Sequence, residues 1–199
     1  MSDAPQLLTH AEEAALLRLA RRSLEAAVRR KPEPRLPVEE RTQTLLDPAG
    51  CFVTLMVAGQ LRGCIGCPMP DLPLHEAVVV SAGDAALHDP RFERVQPGEL
   101  EAIRLSVSVL TPPNPAPVQG WREFLAFVEP LRHGVILRNG RRSALFLPEV
   151  WQHFAPSPDP KSEFLSQLSR KAGDWSGDLW RDPATRFEVF ETIHLQEPD

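Results

Sequence analysis

A guanidinium and a thiol stand two positions apart in Gln60-Leu61-Arg62-Gly63-Cys64-Ile65-Gly66-Cys67-Pro68, the densest run of reactive side chains and unusual backbone in the chain. If this run is a strand, Arg62, Cys64 and Gly66 share one face, while Leu61, Gly63 and Ile65 share the other. A cation beside a thiol favours the thiolate, the nucleophilic and ligand-contacting form, so Cys64 is the candidate nucleophile with Arg62 beside it. The competing reading is a small buried hydrophobe in a central strand, because free cysteine is among the most buried residue types. Gly63 and Gly66 weigh toward function, since glycine weakens a strand and marks a bulge or the close approach of another backbone or ligand. Cys64 and Cys67 also form a C-x-x-C, a spacing shared by redox pairs and by half of a zinc site. It is the single such pair in the sequence, and no His-x-x-x-His spacing among His75, His88 and His133 supports a metal, so none is expected. Glycine-rich phosphate loops and a serine-centred nucleophile elbow are absent from the sequence.

These residues need a hairpin to position them. The apolar, β-branched run Cys51-Phe52-Val53-Thr54-Leu55-Met56-Val57 reads as a strand and Ala58-Gly59-Gln60 as its turn, which makes the motif the return strand. Upstream, Thr9 and Glu12 make a capping box for a helix over about 9–30, with Leu17, Ala20, Leu24, Ala27 and Val28 at helical spacing. Residues 32–37, rich in proline, form an extended connector. Downstream, Leu74, Ala77, Val78, Ser81, Ala82 and Ala85 form a narrow stripe of small and apolar residues, predicting a helix over 74–87 that packs very close to a sheet and stops at Asp89-Pro90. Leu105, Val107 and Val109 alternate with Arg104, Ser106 and Ser108, as in a half-buried strand. The proline run from Thr111 to Pro117 breaks regular structure; it is either a boundary between lobes or a rigid surface loop. Asn139-Gly140 predicts a second hairpin, a helix from Lys161 ends at Gly173, and Phe187, Val189 and Ile193 suggest one last strand. Hairpins mixed with non-alternating helices give an α+β fold with a largely antiparallel sheet flanked by helices.

Composition narrows the partners. The net charge of −5, from 27 acidic and 22 basic residues without a long block of either sign, argues against nucleic acid. An odd number of cysteines, 3, after a polar opening predicts a reduced, cytoplasmic protein without a disulfide framework. The sequence shows no charged-then-apolar leader, and no apolar run approaches the ~20 residues of a membrane helix, so no membrane partner is expected.

The stretch Leu61-Arg62-Gly63-Cys64-Ile65-Gly66 resembles the signature of the AMMECR-type domain, known in bacteria and archaea as AmmeMemoRadiSam system protein A and in animals chiefly from a contiguous deletion syndrome. The likeness continues, in the family's order, through Asp89-Pro90-Arg91-Phe92, Ser106 to Thr111, His133-Gly134-Val135, Leu147-Pro148-Glu149-Val150 and Lys171-Ala172-Gly173. It departs at Cys67, where the family usually has threonine. It covers about residues 8–192, implying a single AMMECR-type domain with tails at 1–7 and 193–199, a larger and a smaller lobe with a cleft between them, and a bacterial source. By this resemblance Arg62, Gly63, Gly66, Asp89, Arg91 and Lys171 are ligand-binding candidates, the cations forming a basic patch for an anionic substrate. A helix-stop ion pair explains Asp89 and Arg91 equally, and a helix-dipole contact Lys171. His133, at the family's His-Gly position, is the candidate base for Cys64, against a turn histidine bonded to backbone. No cofactor is implied. Bacterial members keep company with a Memo-like protein and a radical SAM protein, which implies a shared pathway with a ligand or catalytic cleft around the motif. The alternative is a non-catalytic module docking on such a partner, favoured if Trp121, Trp151, Trp175 or Trp180 is exposed. The oligomeric state stays open.

Overall fold

The expected capping box is formed: Thr9 accepts the backbone N–H of Glu12 and the Glu12 carboxylate accepts that of Thr9, which starts the first helix of the computed structural model. Residues 8–198 are described, and the expected 1–7 tail lies outside them. In chain order the elements are α1 (His10–Val28), α2 (Gln43–Leu46), β1 (Cys51–Val57), β2 (Gln60–Cys67), α3 (Leu74–Leu87), β3 (Ile103–Leu110), β4 (Asn114–Pro115), α4 (Gly120–Phe127), β5 (Gly134–Asn139), β6 (Arg142–Phe146), α5 (Pro160–Lys171), β7 (Arg186–Phe190) and β8 (Thr192–Gln196). The chain folds as two units that part at Thr111/Pro112, inside the proline run, with the segment from Ile193 returning to the first. Helices mixed with antiparallel strands make the fold α+β.

In the first unit the strand order is β2-β1-β3-β8, with β1 antiparallel to both β2 and β3. Cys51, Val53 and Leu55 of β1, Leu105, Val107 and Val109 of β3, and Leu195 of β8 share one buried core with Leu16, Leu19 and Leu24 of α1 and Ala77, Val78, Ala82 and Ala85 of α3. The small residues of α3 bring its backbone down onto the sheet: a Cβ on Gly63 would lie 2.1 Å from the Ala85 carbonyl oxygen.

The second unit carries its own sheet, order β4-β7-β5-β6, so the single sheet expected is in fact two. Asn139-Gly140 does join β5 to β6. Flat aromatic stacks fill this core, Phe124 on Phe187 at 4.0 Å and Trp151 on Phe164 at 3.6 Å. Helix α4 is not anticipated by sequence, because it is only two turns long and starts without a side-chain cap.

Two expectations about the C-terminus are corrected. The last strand is two strands in different sheets, β7 pairing with β5 and β8 with β3. Of the expected 193–199 tail, the described residues 193–198 are built into the first unit: Leu195 is buried, and Glu197 accepts from the Arg21 guanidinium (Nε to Oε1, 2.7 Å) and from the Leu105 N–H (3.0 Å). A buried apolar side chain and a paired carboxylate together hold this segment in the first sheet. Among the described residues no helix is long and apolar enough to cross a membrane.

Candidate functional site

Strand β2 lies at the edge of its sheet and is reached through a tight turn in which Ala58 (φ 50°) and Gly59 (φ 77°) take the left-handed conformation that matches hairpin twist. The pairing slips once: Leu55 faces Gly63 but Met56 faces Leu61, which leaves Arg62 as the extra residue of a bulge. Beyond it the register is regular, Thr54 opposite Cys64, Phe52 opposite Gly66 and Cys51 opposite Cys67. Gly63 is buried under α3, and Ile65 and Cys67 pack against the core, so Cys64 points to the other face. Gly66 is the place where Phe52 crosses β2, since a Cβ there would lie 2.5 Å from that ring. Cys64 and Cys67, on opposite faces, cannot converge on one metal or bond to each other.

An edge strand leaves every second residue's N–H and C=O without a ladder partner. At Cys64 both are filled from the loop after α3. The Cys64 N–H donates to Asp89 Oδ2 at 2.8 Å, and Arg91 Nη2 donates to the Cys64 carbonyl at 3.2 Å. The two clamp residues bind each other, Arg91 Nε to Asp89 Oδ1 at 2.9 Å and Nη2 to Oδ2 at 2.7 Å. Asp89 is buried, with its side chain 2% exposed, whereas that of Arg91 is 54% exposed. The guanidinium hydrogen bonds hold the Asp89 carboxyl well below the ordinary carboxylate range, against the opposing effect of burial. Arg91 is raised in turn, chiefly by Asp89 and to a lesser degree by the Cys64 thiol.

The Cys64 sulfur also receives the Thr54 hydroxyl at 3.4 Å. Across the sheet Thr54 faces Ser106, and further along β3 the Ser108 hydroxyl lies 3.0 Å from His194 Nδ1. A thiol, three hydroxyls and an imidazole therefore occupy the face of this sheet turned away from the core. The sequence reading names none of Thr54, Ser106, Ser108 and His194 as a site residue. The hairpin register would have found Thr54, but the bulge that sets that register is not visible in the sequence.

Arg62 does not stand free beside the thiol. Its Nε and Nη2 bind the Glu99 carboxylate at 2.8 and 3.1 Å, and Nη1 donates to the Glu93 carbonyl at 2.8 Å. Arg62 holds Glu99 below its usual pKa, and the guanidinium that meets Cys64 is Arg91 instead. The remaining two candidates belong to the second unit. His133 is buried, which pushes its pKa down. Its Nδ1 accepts the Glu129 N–H at 3.1 Å, its carbonyl accepts the Trp151 indole N–H at 2.8 Å, and its ring stacks on Phe127. A neutral imidazole with Nδ1 so occupied carries its proton on Nε2 and has no free basic nitrogen. Lys171 donates to the Leu145 carbonyl at 2.8 Å and lies over the Phe146 ring.

The family profile described as AMMECR1 matches residues 17–195. Protein MK0488 of Methanopyrus kandleri is 40% identical over 96% of this chain and 91% of its own length. Protein TK0174 of Thermococcus kodakarensis is 40% identical over 92% of this chain and 91% of its own length. The crystal structure of the uncharacterized protein PH0010 from Pyrococcus horikoshii superposes with a TM-score of 0.80 at 31% identity, covering 97% of this chain and all of that one. The expectation of a bacterial source is corrected by these matches, because the similar chains are archaeal.

Proposed function

Since the chain belongs to the AMMECR1 family, we propose that it is a thiol-based component of a small-molecule or modification pathway, in which Cys64 contacts or attacks a ligand at the non-core face of the first sheet. The observation that carries this reading is the clamp on Cys64. A carboxylate–guanidinium pair with a buried acid is a costly way to protect one edge residue, because desolvating Asp89 has to be repaid by its hydrogen bonds. Edge strands are protected more simply by a lysine, a proline or a short strand. Fixing both backbone groups of Cys64 instead fixes where its sulfur stands, with Thr54 donating to it and Arg91 beside it. In this reading Arg62 with Glu99 holds the bulge, Gly63 and Gly66 let α3 and Phe52 close in, and Lys171 and His133 serve the packing of the second unit. Arg62 and Arg91 are each paired with a carboxylate and Lys171 with a backbone carbonyl, so no anionic substrate is proposed. By family association the pathway partners are a Memo-like protein and a radical SAM protein, and the acidic balance argues against nucleic acid.

The test is the rate of iodoacetamide labelling at Cys64 in the native protein at neutral pH. The reading expects labelling faster than that of a free cysteine of pKa about 8.5, and a loss of this advantage in Arg91→Ala while the fold persists. Labelling of Cys64 only on unfolding would sink it. One observation favours the second reading, a docking module: Trp175 is 86% exposed, the kind of aromatic anchor that dominates interfaces. That reading gains if Trp175→Ala abolishes binding to either partner while Cys64→Ser changes nothing.

A further inference from the structure

The cysteine pair that the backbone does bring together is not the C-x-x-C. Cys51 and Cys67 stand directly opposite each other across β1 and β2. Both face the core side, Cys51 enclosed and Cys67 partly buried against the same cluster. The Gly50 carbonyl accepts from Leu110 of β3 at 2.9 Å, so alternation along β1 turns the backbone groups of Cys51 toward β2. This makes Cys51 and Cys67 a hydrogen-bonded antiparallel pair. Cα atoms in such pairs are about 5.5 Å apart, inside the roughly 4.4–6.8 Å that disulfides span. Side chains of this kind of pair stand wider than those of the alternate kind, so a bridge must draw them inward, and strained disulfides are the readily reduced ones.

We propose that Cys51 and Cys67 form a reversible dithiol–disulfide couple that clasps the base of the motif hairpin, with a low-molecular-weight disulfide as its oxidant. Cys67, the more accessible thiol, reacts first. It loses its proton to water and its thiolate attacks one sulfur of the small disulfide, forming a mixed disulfide and releasing one small thiolate. Cys51 passes its proton to that released thiolate and attacks the Cys67 sulfur, which expels the second small thiolate to be protonated by water. Two protein thiols are thereby oxidised to one disulfide, and one small disulfide is reduced to two small thiols. Burial pushes the Cys51 thiol up to about 12, with Cys67 adding to the rise, so Cys67 makes the first attack and Cys51 acts only on the mixed disulfide held opposite it. The closed bridge joins the open end of the hairpin and fixes the register that places Cys64 opposite Thr54. Cys64 is on the other face and takes no part, so this couple stands apart from the thiol site proposed above.

The test equilibrates the full-length protein with mixtures of oxidised and reduced glutathione, alkylates what remains free, and maps the peptides. The expected result is a peptide linking Cys51 to Cys67 with neither thiol left to alkylate, whatever glutathione does at Cys64, and a melting temperature a few degrees above that of the reduced protein, all reversed by a dithiol reductant. Cys51→Ala is expected to trap glutathione on Cys67, and Cys67→Thr to abolish both the link and the thermal shift. Three free thiols at every poise, a link from Cys64 to Cys67, or glutathione left on wild-type Cys67 without the link would overturn the inference.

Discussion

Asp89 accepts from the backbone N–H of Cys64 and from three donors of Arg91, its backbone N–H, Nε and Nη2, so its removal is the most informative single change at the residue scale. Asp89→Asn keeps the shape but leaves the guanidinium without its counter-charge and weakens the bond to the Cys64 N–H. The expected cost is about 1.5–3 kcal/mol, read from urea unfolding, as for hydrogen bonds to charged groups. The same carboxylate sets an acid limb. Its folded pKa is depressed below the roughly 3.9 of an unfolded aspartate, so its contribution to stability is complete above about pH 4 and is lost as pH falls below that value toward the lowered native one. Melting temperature against pH in the acid range should therefore fall less steeply in Asp89→Asn than in the wild type. The ion pair of Asp89 with Arg91 is readable in the sequence, because the two residues are neighbours. Their grip on Cys64 is not readable, because it depends on where a loop some 25 residues later passes the edge of the sheet.

At the element scale two separate sequence signals, the small-residue stripe of α3 and Gly63 of β2, turn out to describe one contact. Gly63→Ala puts a Cβ against the Ala85 carbonyl oxygen, a backbone atom that cannot swing aside. Helix and strand must then separate, at about 1–3 kcal/mol or more, as in other overpacked cores. Gly98→Ala, with open space around it, serves as the control and should stay within about 0.5 kcal/mol of wild type in the same denaturation experiment. Gly63→Ala should also slow or abolish Cys64 labelling if the clamp shifts with the strand. The bulge at Arg62 belongs to the same scale and is invisible in sequence, since a strand with one extra residue has nearly the same alternation as one without it.

For the whole molecule, the return of β8 to the first sheet is the feature most open to test. Leu195→Ala should cost about 2–5 kcal/mol, the range for a buried leucine, although the residue lies four positions before the last one. The second unit has its own sheet and its own stacked aromatics, so Pro112–Thr192 made alone should unfold cooperatively, with a near-ultraviolet circular dichroism signal from Trp151 that is lost in the same step. The amino-acid sequence by itself determined α1, α3, α5, β3 and the strands of both hairpins, with most of their limits. It also placed the hairpin turns, the break in the proline run and the motif hairpin that bears Cys64. These are set by periodicity, by capping and by backbone dihedrals that residues impose on their immediate neighbours. Only the tertiary structure decided which sheet takes each late strand, that Arg91 rather than Arg62 meets Cys64, and that Cys67 faces Cys51 rather than Cys64. Those outcomes depend on strand register and on pairings between residues far apart in sequence, and a one-residue slip reverses every side chain beyond it.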